Sequence, residues 1–346
     1  MTSKALIAKK IYKSKLDLIE TEIGIKLIKD TFERKLAKKL SLQRVSAPRF
    51  LMMGNGLQDD LAGTQIPVGF KTKFTDTTVE MVHSLAKWKR HALKKYGFKH
   101  GTGLYTDMDA VRKDEDVDNI HSIYVDQWDW EFIISNKQRS IPFLKETVKK
   151  IYKAILETEE IIEKTFPKLK SRLPKKIKFI HSEELEEMYP QSSPKEREDK
   201  ITEKYGAVFI IGIGHPLKSG KPHDLRAADY DDWSTTTTDK TKGLNGDILF
   251  WDDLRKKALE ISSMGIRVDA TALLKQLEFM GLIDRKKLEF HKGIIEEKLP
   301  LSVGGGIGQS RLCMFLLQKI HIGEVQVSVW PEKMIKDYKK KGIKLL

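Results

Sequence analysis

The sequence has only one cysteine, Cys313, among 346 residues, which excludes an internal disulfide and a metal site built on cysteine. No segment has enough consecutive apolar residues to cross a membrane, and the longest apolar run, 207–213, is typical of a buried strand. The first residues lack the long apolar segment of a signal peptide. Together these absences predict a soluble, cytoplasmic protein with no membrane partner.

Arginine is scarce compared with lysine. Of the 63 basic residues only 13 are arginines, and the net charge is +14. A charge of this size suggests a polyanionic partner, but nucleic-acid recognition relies strongly on arginine. The lysines are also spread over amphipathic helices with glutamates between them, as in 145–170. Solvated helix faces therefore explain the charge best, and we expect no nucleic-acid partner; a polyanion-binding surface remains an open alternative.

The sequence also lacks a lysine–serine phosphate-binding loop and a dinucleotide-binding fingerprint. It contains no internal repeat, no low-complexity tract and no linker at which the chain could be divided. A length of 346 residues with 40% hydrophobic residues is enough for one large core. We therefore predict a single domain over residues 1–346.

Hydrophobic periodicity predicts an alternation of helices and strands. The predicted helices are 4–41, 85–96, 141–165, 194–204, 269–280 and 308–319. The predicted strands are 42–47, 66–74, 78–84, 103–111, 121–134, 175–181, 207–213, 244–251 and 258–268. Because several neighbouring strands have no helix between them, the pattern favours an α+β fold with a mostly antiparallel sheet over a doubly wound fold.

A glycine-rich stretch, 304–308, has glycine at four of its five positions, including Gly306. Without side chains, the backbone can approach another strand or a ligand closely. We interpret the stretch as a turn before a helix that carries Arg311 on its first turn. An arginine placed there could contact a phosphate or a purine ring. Close packing of a strand on a helix is the alternative explanation.

Polar residues alternate along the predicted strand 121–134. Gln127, Asp129 and Glu131 share one face because side chains alternate along a strand, and Trp128 and Trp130 occupy the opposite face. A buried face on one side and a polar set on the other are typical of the floor of a cleft.

Further charged residues follow the same pattern at strand ends. Arg112 and Glu115 end the strand before this one, while Asp247 and Glu260 lie on two later strands. The two carboxylates are oxygen ligands of the kind that Mg²⁺ prefers, especially when it is shared with nucleotide phosphates. This region therefore predicts a nucleotide site.

The order of these motifs resembles that of the class II aminoacyl-tRNA synthetases, in particular the aspartyl and asparaginyl subgroup. It runs from Arg-x-Asp-Glu through the alternating acidic strand and Glu-x-x-x-x-Gly-Ile-Arg to the glycine-rich segment with its arginine. The wider chain is similar to the ammonia-dependent asparagine synthetases (aspartate–ammonia ligases), which are stand-alone relatives of that catalytic core. The matching stretches are 58–63, 83–90, 125–131, 229–234, 244–249, 262–269 and 304–312.

This resemblance implies a class II synthetase-like catalytic domain, with an antiparallel sheet flanked by helices and its ligands on the open face. It also implies a homodimer formed through the helix and strand within 1–48. The tRNA ligases of this subgroup have an anticodon-binding domain before the core, whereas only helical sequence precedes Pro48 here, so we expect no such domain and a small-molecule ligase. The implied reaction converts L-aspartate and ammonia to asparagine through a β-aspartyl-adenylate, with ATP and Mg²⁺. Two alternatives remain: a core that charges or binds tRNA, and an adenylate-binding regulator.

The resemblance also implies roles for individual residues. Those expected to bind ATP are Arg112, Glu115, Val125, Asp247, Glu260, Gly306 and Arg311, with Asp247 and Glu260 holding the metal. Those expected to bind aspartate are Ser84, Lys89, Gln127, Asp129, Ser263 and Arg267. The catalytic candidates are Asp59, Arg112, Gln127 and Asp231. Either Asp59 or Asp231 could take the proton from ammonium, and the sequence does not decide between them.

Overall fold

The computed structural model describes residues 12–59, 61, 65–237 and 241–346. Part of the predicted first helix, residues 4–11, lies outside the described residues. So do Asp60, Ala62 and Gly63 of the stretch 58–63. The described part consists of one large sheet, one small sheet and helices on both faces of the large sheet.

Helices and strands are interspersed along the chain. Within the described residues the α-helices are α1 (Leu18–Leu40), α2 (Ala86–Lys95), α3 (Ile141–Thr165), α4 (Ser182–Met188), α5 (Pro194–Tyr205), α6 (Ala270–Phe279), α7 (Glu289–Ile295), α8 (Gln309–Leu316) and α9 (Glu332–Lys340). The strands are β1 (Leu42–Arg44), β2 (Phe50–Met52), β3 (Gly69–Thr72), β4 (Thr75–Met81), β5 (Gly103–Val111), β6 (Tyr124–Ile133), β7 (Lys178–His181), β8 (Ala207–Ile211), β9 (Asn245–Asp252), β10 (Lys257–Ile266) and β11 (Ser302–Gly308).

The large sheet has eight strands in the order β1-β5-β6-β11-β10-β9-β8-β7. Its pairs are antiparallel except at the two edges, where β1 pairs with β5 and β7 with β8 in parallel. The second parallel pair follows from the two helices, α4 and α5, that connect its strands, because a parallel pair needs a crossover. The predicted α+β class with a mostly antiparallel sheet is confirmed.

One face of the large sheet carries the main hydrophobic core, which includes residues of α1, α3 and α8. Trp128 and Trp130 lie on this face and are fully buried. Phe32 of α1 packs on Trp128 with ring centroids 4.7 Å apart. The tryptophans therefore occupy the buried side of β6, as the alternation along the strand predicted.

Among the described residues, the opposite face is covered towards its two ends. There α2 packs near Leu104 and α5 packs over Val208, Ile210 and Leu249. Between these two helices the polar side chains of β6 and β10 face an open cavity. The central strands are thus closed by apolar packing on one face and accessible to ligands on the other.

The glycine-rich stretch is a strand and not a turn, which corrects our prediction. As β11 it lies in the middle of the sheet, between β6 and β10. The neighbouring strands explain why glycine is needed there. A Cβ atom on Gly305 would lie 2.5 Å from the Cβ of Met264 and 2.7 Å from the carbonyl oxygen of Ser263.

Other differences concern short elements and ends. The first helix begins at Leu18, because Asp17 and Glu20 form a reciprocal capping box, so the predicted helix over 12–17 is wrong. The short elements β2, α4 and α7, and the helix α9 near the end of the chain, were not predicted. The strand predicted at 66–74 is shortened to β3, and the strand predicted at 78–84 is shifted by three residues to β4; with β2 they form a separate three-stranded sheet. None of the described helices is both long and apolar enough to cross a membrane.

The close approach at Gly305 gives a test of the β11 assignment. Gly305→Ala should lower the free energy of unfolding by about 1–3 kcal/mol, because the added methyl group must displace β10. Chemical denaturation would measure the change. Gly308→Ala is the matched control, since the atom nearest to its Cβ would be the Arg311 Cβ at 3.3 Å, on a side chain and not on a neighbouring strand. Equal stability of the Gly305 variant and the wild type would contradict the strand pairing.

Candidate active site

The site face is built from rows of residues that run across the central strands. The strand pairing aligns Asp247 of β9, Ser263 of β10, Gly306 of β11 and Asp129 of β6 in one row. The neighbouring row contains Gly265, Gly304 and Glu131 in the same way. In both rows a glycine of β11 lies beside a carboxylate of β6. The polar side chains can therefore lie directly over the backbone of β11.

A cavity of about 320 Å³ opens over these rows. With the exception of Asp247, every residue predicted for the site lines it, although these residues come from distant parts of the chain. They are Asp59, Ser84, Lys89, Arg112, Glu115, Val125, Gln127, Asp129, Asp231, Glu260, Ser263, Arg267, Gly306 and Arg311. The structure therefore brings the predicted residues together, while their individual roles remain predictions.

A buried ion-pair network fixes one end of the cavity. Arg267 donates to Glu131 Oε2 through Nη2 at 3.2 Å and also contacts Asp231 Oδ1. Ser302 donates to the other oxygen of Glu131 at 2.6 Å. Burial alone would lower the pKa of Arg267, but the charges of Glu131 and Asp231 outweigh it and raise this pKa. Arg267 is therefore a permanently charged group held in one orientation.

Lys89 is a second buried cation that lines the same cavity. Its Nζ lies 3.0 Å from Asp129 Oδ2 and donates to the carbonyl oxygen of Gly305 at 2.8 Å. Burial lowers the pKa of Lys89, and the neighbouring Asp129 partly opposes that effect. The other oxygen of Asp129 is buried and has no hydrogen-bond partner within the described residues. This oxygen is available to a positively charged ligand group.

The two candidate proton acceptors differ in their surroundings. Asp59 accepts hydrogen bonds from the Ser84 hydroxyl at 2.7 Å and from the Leu61 amide at 2.9 Å, one on each oxygen. Asp231 uses Oδ1 for Arg267. Burial raises the pKa of Asp231 even though Arg267 opposes the effect. Asp231 is thus more basic than an ordinary exposed aspartate, but it also holds Arg267 in place.

The other end of the cavity is lined by two arginines. Arg112 follows β5, and its buried Nε has no partner among the described residues. Arg311 lies on the first turn of α8, as predicted, and its Nη1 is 3.8 Å from Glu260 Oε1. The start of α8 is held by Asp126, which accepts from the Ser310 amide at 3.0 Å and from its hydroxyl at 2.8 Å. Both guanidinium groups are therefore placed to meet an anion.

Asp247 differs from the prediction in its position. It does not line the cavity, and its Oδ2 is paired with Arg226. Burial and the nearby charge of Glu260 raise the pKa of Asp247 to about 6, against the opposing effect of Arg226. No pattern in the sequence predicted Arg226 at this position, because it comes from a loop without periodicity.

A divalent cation fits this pair of carboxylates in part. The described residues contain no group of three or more histidine, cysteine, aspartate or glutamate side chains arranged to hold a metal. However, Asp247 Oδ1 is buried without a partner in the described part of the chain, and Glu260 faces the cavity. Two carboxylates suit a magnesium ion that takes its remaining ligands from phosphate and water.

Several residues that line the cavity were not predicted individually. They are Leu61, Ala86, Ile120, His121, Ser122, Tyr124, Asp126, Tyr230, Ile261, Ser262, Gly305, Gly308, Ile322 and Gln326. Some of them, such as Asp126, Tyr230 and Ser262, lie within or beside the matched stretches. Those on β6 and β10 belong to strands that were predicted, whereas others, such as His121, Tyr230 and Gln326, come from loops whose paths periodicity does not specify.

Comparison with known sequences decides the family. The family profile described as aspartate–ammonia ligase matches residues 19–342. The chain belongs to the aspartate–ammonia ligase family. A relative named aspartate–ammonia ligase from Clostridium tetani is 55% identical over 345 residues, which cover 99% of this chain and 98% of that one. Another of the same name, from Parabacteroides distasonis, is 53% identical over 97% of both chains.

Solved structures agree on the fold of this family member. Asparaginyl-tRNA synthetase from Pyrococcus horikoshii, complexed with asparaginyl-adenylate, aligns with a TM-score of 0.66 at 16% identity, over 90% of this chain and 70% of that one. The Entamoeba histolytica enzyme with the same ligand aligns with a TM-score of 0.62 at 15% identity, over 89% and 66%. At such low identity the likeness shows the class II synthetase fold, as expected from the sequence.

Proposed function

We propose that this aspartate–ammonia ligase family member converts L-aspartate, ammonia and ATP to L-asparagine, AMP and pyrophosphate through a β-aspartyl-adenylate. The observation that carries the proposal is the cavity over β11. It has arginines suited to anions at one end and a buried set of paired charges at the other. This arrangement suits a nucleotide beside a small zwitterionic amino acid.

The first step activates a carboxylate that is otherwise a poor acyl donor. A β-carboxylate oxygen of aspartate attacks the α-phosphorus of ATP, and pyrophosphate leaves with the electron pair of the broken P–O bond. Arg112 contacts the α-phosphate through two donors as charge builds up, and Arg311 contacts the outer phosphates. Glu115, Val125 and Gly306 border the nucleotide. Asp247 and Glu260 would hold Mg²⁺, which would neutralise part of the phosphate charge.

The amino acid is held by its unreacted groups. Arg267 and Lys89 bind the α-carboxylate, since both are charged, buried and fixed by neighbouring carboxylates. Gln127 and Asp129 accept from the α-ammonium group, for which the unpaired oxygen of Asp129 is available. Ser84 and Ser263 border the chain of the substrate. The β-carboxylate then points towards the nucleotide.

The second step forms the amide. Ammonium transfers a proton to Asp59 or Asp231, and the lone pair of the resulting ammonia attacks the acyl carbon. The bond from that carbon to the phosphate oxygen breaks, and AMP leaves. Asparagine forms after the nitrogen loses a second proton.

An enzyme that charges tRNA is the second candidate, because the fold is shared with asparaginyl-tRNA synthetases. It is less well supported, because the two relatives described above are named aspartate–ammonia ligase. They share more than half of their residues with this chain over almost their whole length.

We also propose that the protein acts in the cytoplasm as a homodimer formed through α1 and β1, without a nucleic-acid partner.

The direct test is a reaction mixture of purified protein, Mg²⁺, ATP, L-aspartate and ammonium. We expect asparagine, AMP and pyrophosphate in equal amounts, measured by chromatography and a pyrophosphate assay. Omission of ammonium should abolish AMP release. Formation of ADP and phosphate instead would exclude the adenylate route, and dependence on added tRNA would favour the second candidate.

Arg112→Lys should lower turnover by about 100-fold or more, although the charge is kept. A lysine is a point charge and cannot make the planar two-pronged phosphate contact that helps the transition state. Steady-state kinetics of AMP formation would measure the loss. Arg49→Lys is a matched control, because Arg49 is an exposed arginine paired with Asp109. Comparable turnover in the Arg112 and Arg49 variants would remove Arg112 from the reaction.

Asp59→Asn and Asp231→Asn distinguish the two candidate bases. The residue that accepts the proton should lose about 10²–10⁴-fold in amide formation, the usual range for a general base. Aspartate-dependent exchange between pyrophosphate and ATP should survive in that variant, because exchange needs no ammonia. Asp253→Asn, at an exposed carboxylate, is the control. If exchange and amide formation fall by the same factor in both variants, neither residue is the base.

A further inference from the structure

Tyr230 lines the same cavity as the two candidate bases, next to Asp231 in the chain, but the mechanism above gives it no role. The cavity wall contains Asp59, Tyr230 and Asp231 together. Within the described residues, the Tyr230 hydroxyl has no hydrogen-bond partner. A polar group that faces a ligand cavity without a partner is a candidate for contact with the ligand.

The backbone around Tyr230 is fixed. Its carbonyl oxygen accepts from the Val268 amide at 2.9 Å, and the Asp232 amide donates to the carbonyl oxygen of Ile266 at 3.0 Å. These bonds attach the loop to the end of β10. The guanidinium carbon of Arg267 lies 5.6 Å from the centroid of the Tyr230 ring, which fixes the ring as well. The hydroxyl therefore has a defined position in the wall.

The charged groups around the Tyr230 hydroxyl indicate which kind of ligand it could bind. Burial, and then the charges of Asp59 and Asp231, raise the pKa of Tyr230 well above its usual value. The phenol consequently stays neutral and cannot itself remove a proton from ammonium. It can still offer its oxygen lone pairs to an N–H donor. A small cation beside it would also be attracted by the two carboxylates.

We propose that the Tyr230 hydroxyl, with Asp59 and Asp231, forms the binding site for the ammonium ion in the second step. This inference rests on the proposed function and adds a residue to it. Ammonium has four N–H groups and is bound best when several acceptors surround it. One N–H donates to Tyr230, while two others face the carboxylates.

The chemistry follows from these contacts. One carboxylate takes the proton of its N–H group, which leaves neutral ammonia hydrogen-bonded to Tyr230 and to the second carboxylate. The nitrogen lone pair then forms the bond to the acyl carbon, and AMP leaves with the electrons of the broken C–O bond. Tyr230 remains protonated throughout and serves to bind and orient the nitrogen.

Tyr230→Phe tests this role because it removes the hydroxyl and keeps the ring beside Arg267. We expect the KM for ammonium to rise about 10- to 100-fold, the range for loss of one hydrogen bond to a charged ligand. The KM for aspartate and the pyrophosphate–ATP exchange rate should stay within about 2-fold of the wild type, since neither involves ammonium. Tyr96→Phe, at a tyrosine that is 49% exposed, is the matched control.

Exchange and amide formation are to be measured on the same preparations, so the outcomes can be told apart. An unchanged KM for ammonium in Tyr230→Phe would overturn the inference and leave the proposed function intact. A parallel fall in exchange would also overturn it, because it would mean that Tyr230 acts on aspartate activation through Arg267. A wild-type protein with no ammonium-dependent AMP release would contradict the proposed function itself, and the inference with it.

Discussion

The ion pairs of Arg267 over Gly304 are the constraint on which the rest of the site depends. A Cβ atom on Gly304 would lie 2.7 Å both from Arg267 Nη2 and from Glu131 Oε2, so any other residue would displace this pair. Burying a charge is costly unless it is paired and hydrogen-bonded. Glycine in the middle of β11 therefore allows the buried carboxylates and cations of neighbouring elements to meet at short distances.

The helix α2 shows the same principle at the edge of the site. Within ten residues it buries Lys87, Lys89 and Arg90. Each is compensated by another part of the chain: Lys87 by Asp229 at 2.8 Å, Lys89 by Asp129 at 3.0 Å, and Arg90 by backbone carbonyl oxygens that include that of Pro300. The helix is held to the sheet and to the loop around Asp229 by polar contacts, which fix Lys89 relative to Asp231 across the cavity.

The end of the cavity that Arg112 and Arg311 line is arranged differently. Asp126 fixes the start of α8 to β6, and α8 carries Arg311. Arg226 occupies one oxygen of Asp247, whose other oxygen has no partner among the described residues, and Glu260 lies 3.8 Å from Arg311. An end with a buried network of paired charges thus adjoins an end where Arg112 Nε and Asp247 Oδ1 lack partners among the described residues. Such a division is consistent with a site that binds a small substrate in one orientation beside a larger, charged one.

Local patterns predicted the sheet class and part of the set of residues that line the cavity. The alternation of Gln127, Asp129 and Glu131 with two tryptophans indicated which face of β6 is polar, because side chains alternate along a strand. The resemblance of the matched stretches then pointed to the other residues of the cavity. The position of Asp247 relative to the cavity and the role of 304–308 could not be obtained in this way.

Contacts between distant residues became visible only in the folded chain. Glycines carry no hydrophobic signal, so a central strand and a turn look the same in the sequence. Only the pairing of β11 with β6 and β10 distinguishes them. The same holds for Arg226 beside Asp247 and for Tyr230 and Asp231 in one cavity with Asp59, since loops bring these groups together and loop paths have no periodicity. The residue types determine which chemistry is available, and the fold determines which of these groups lie close together.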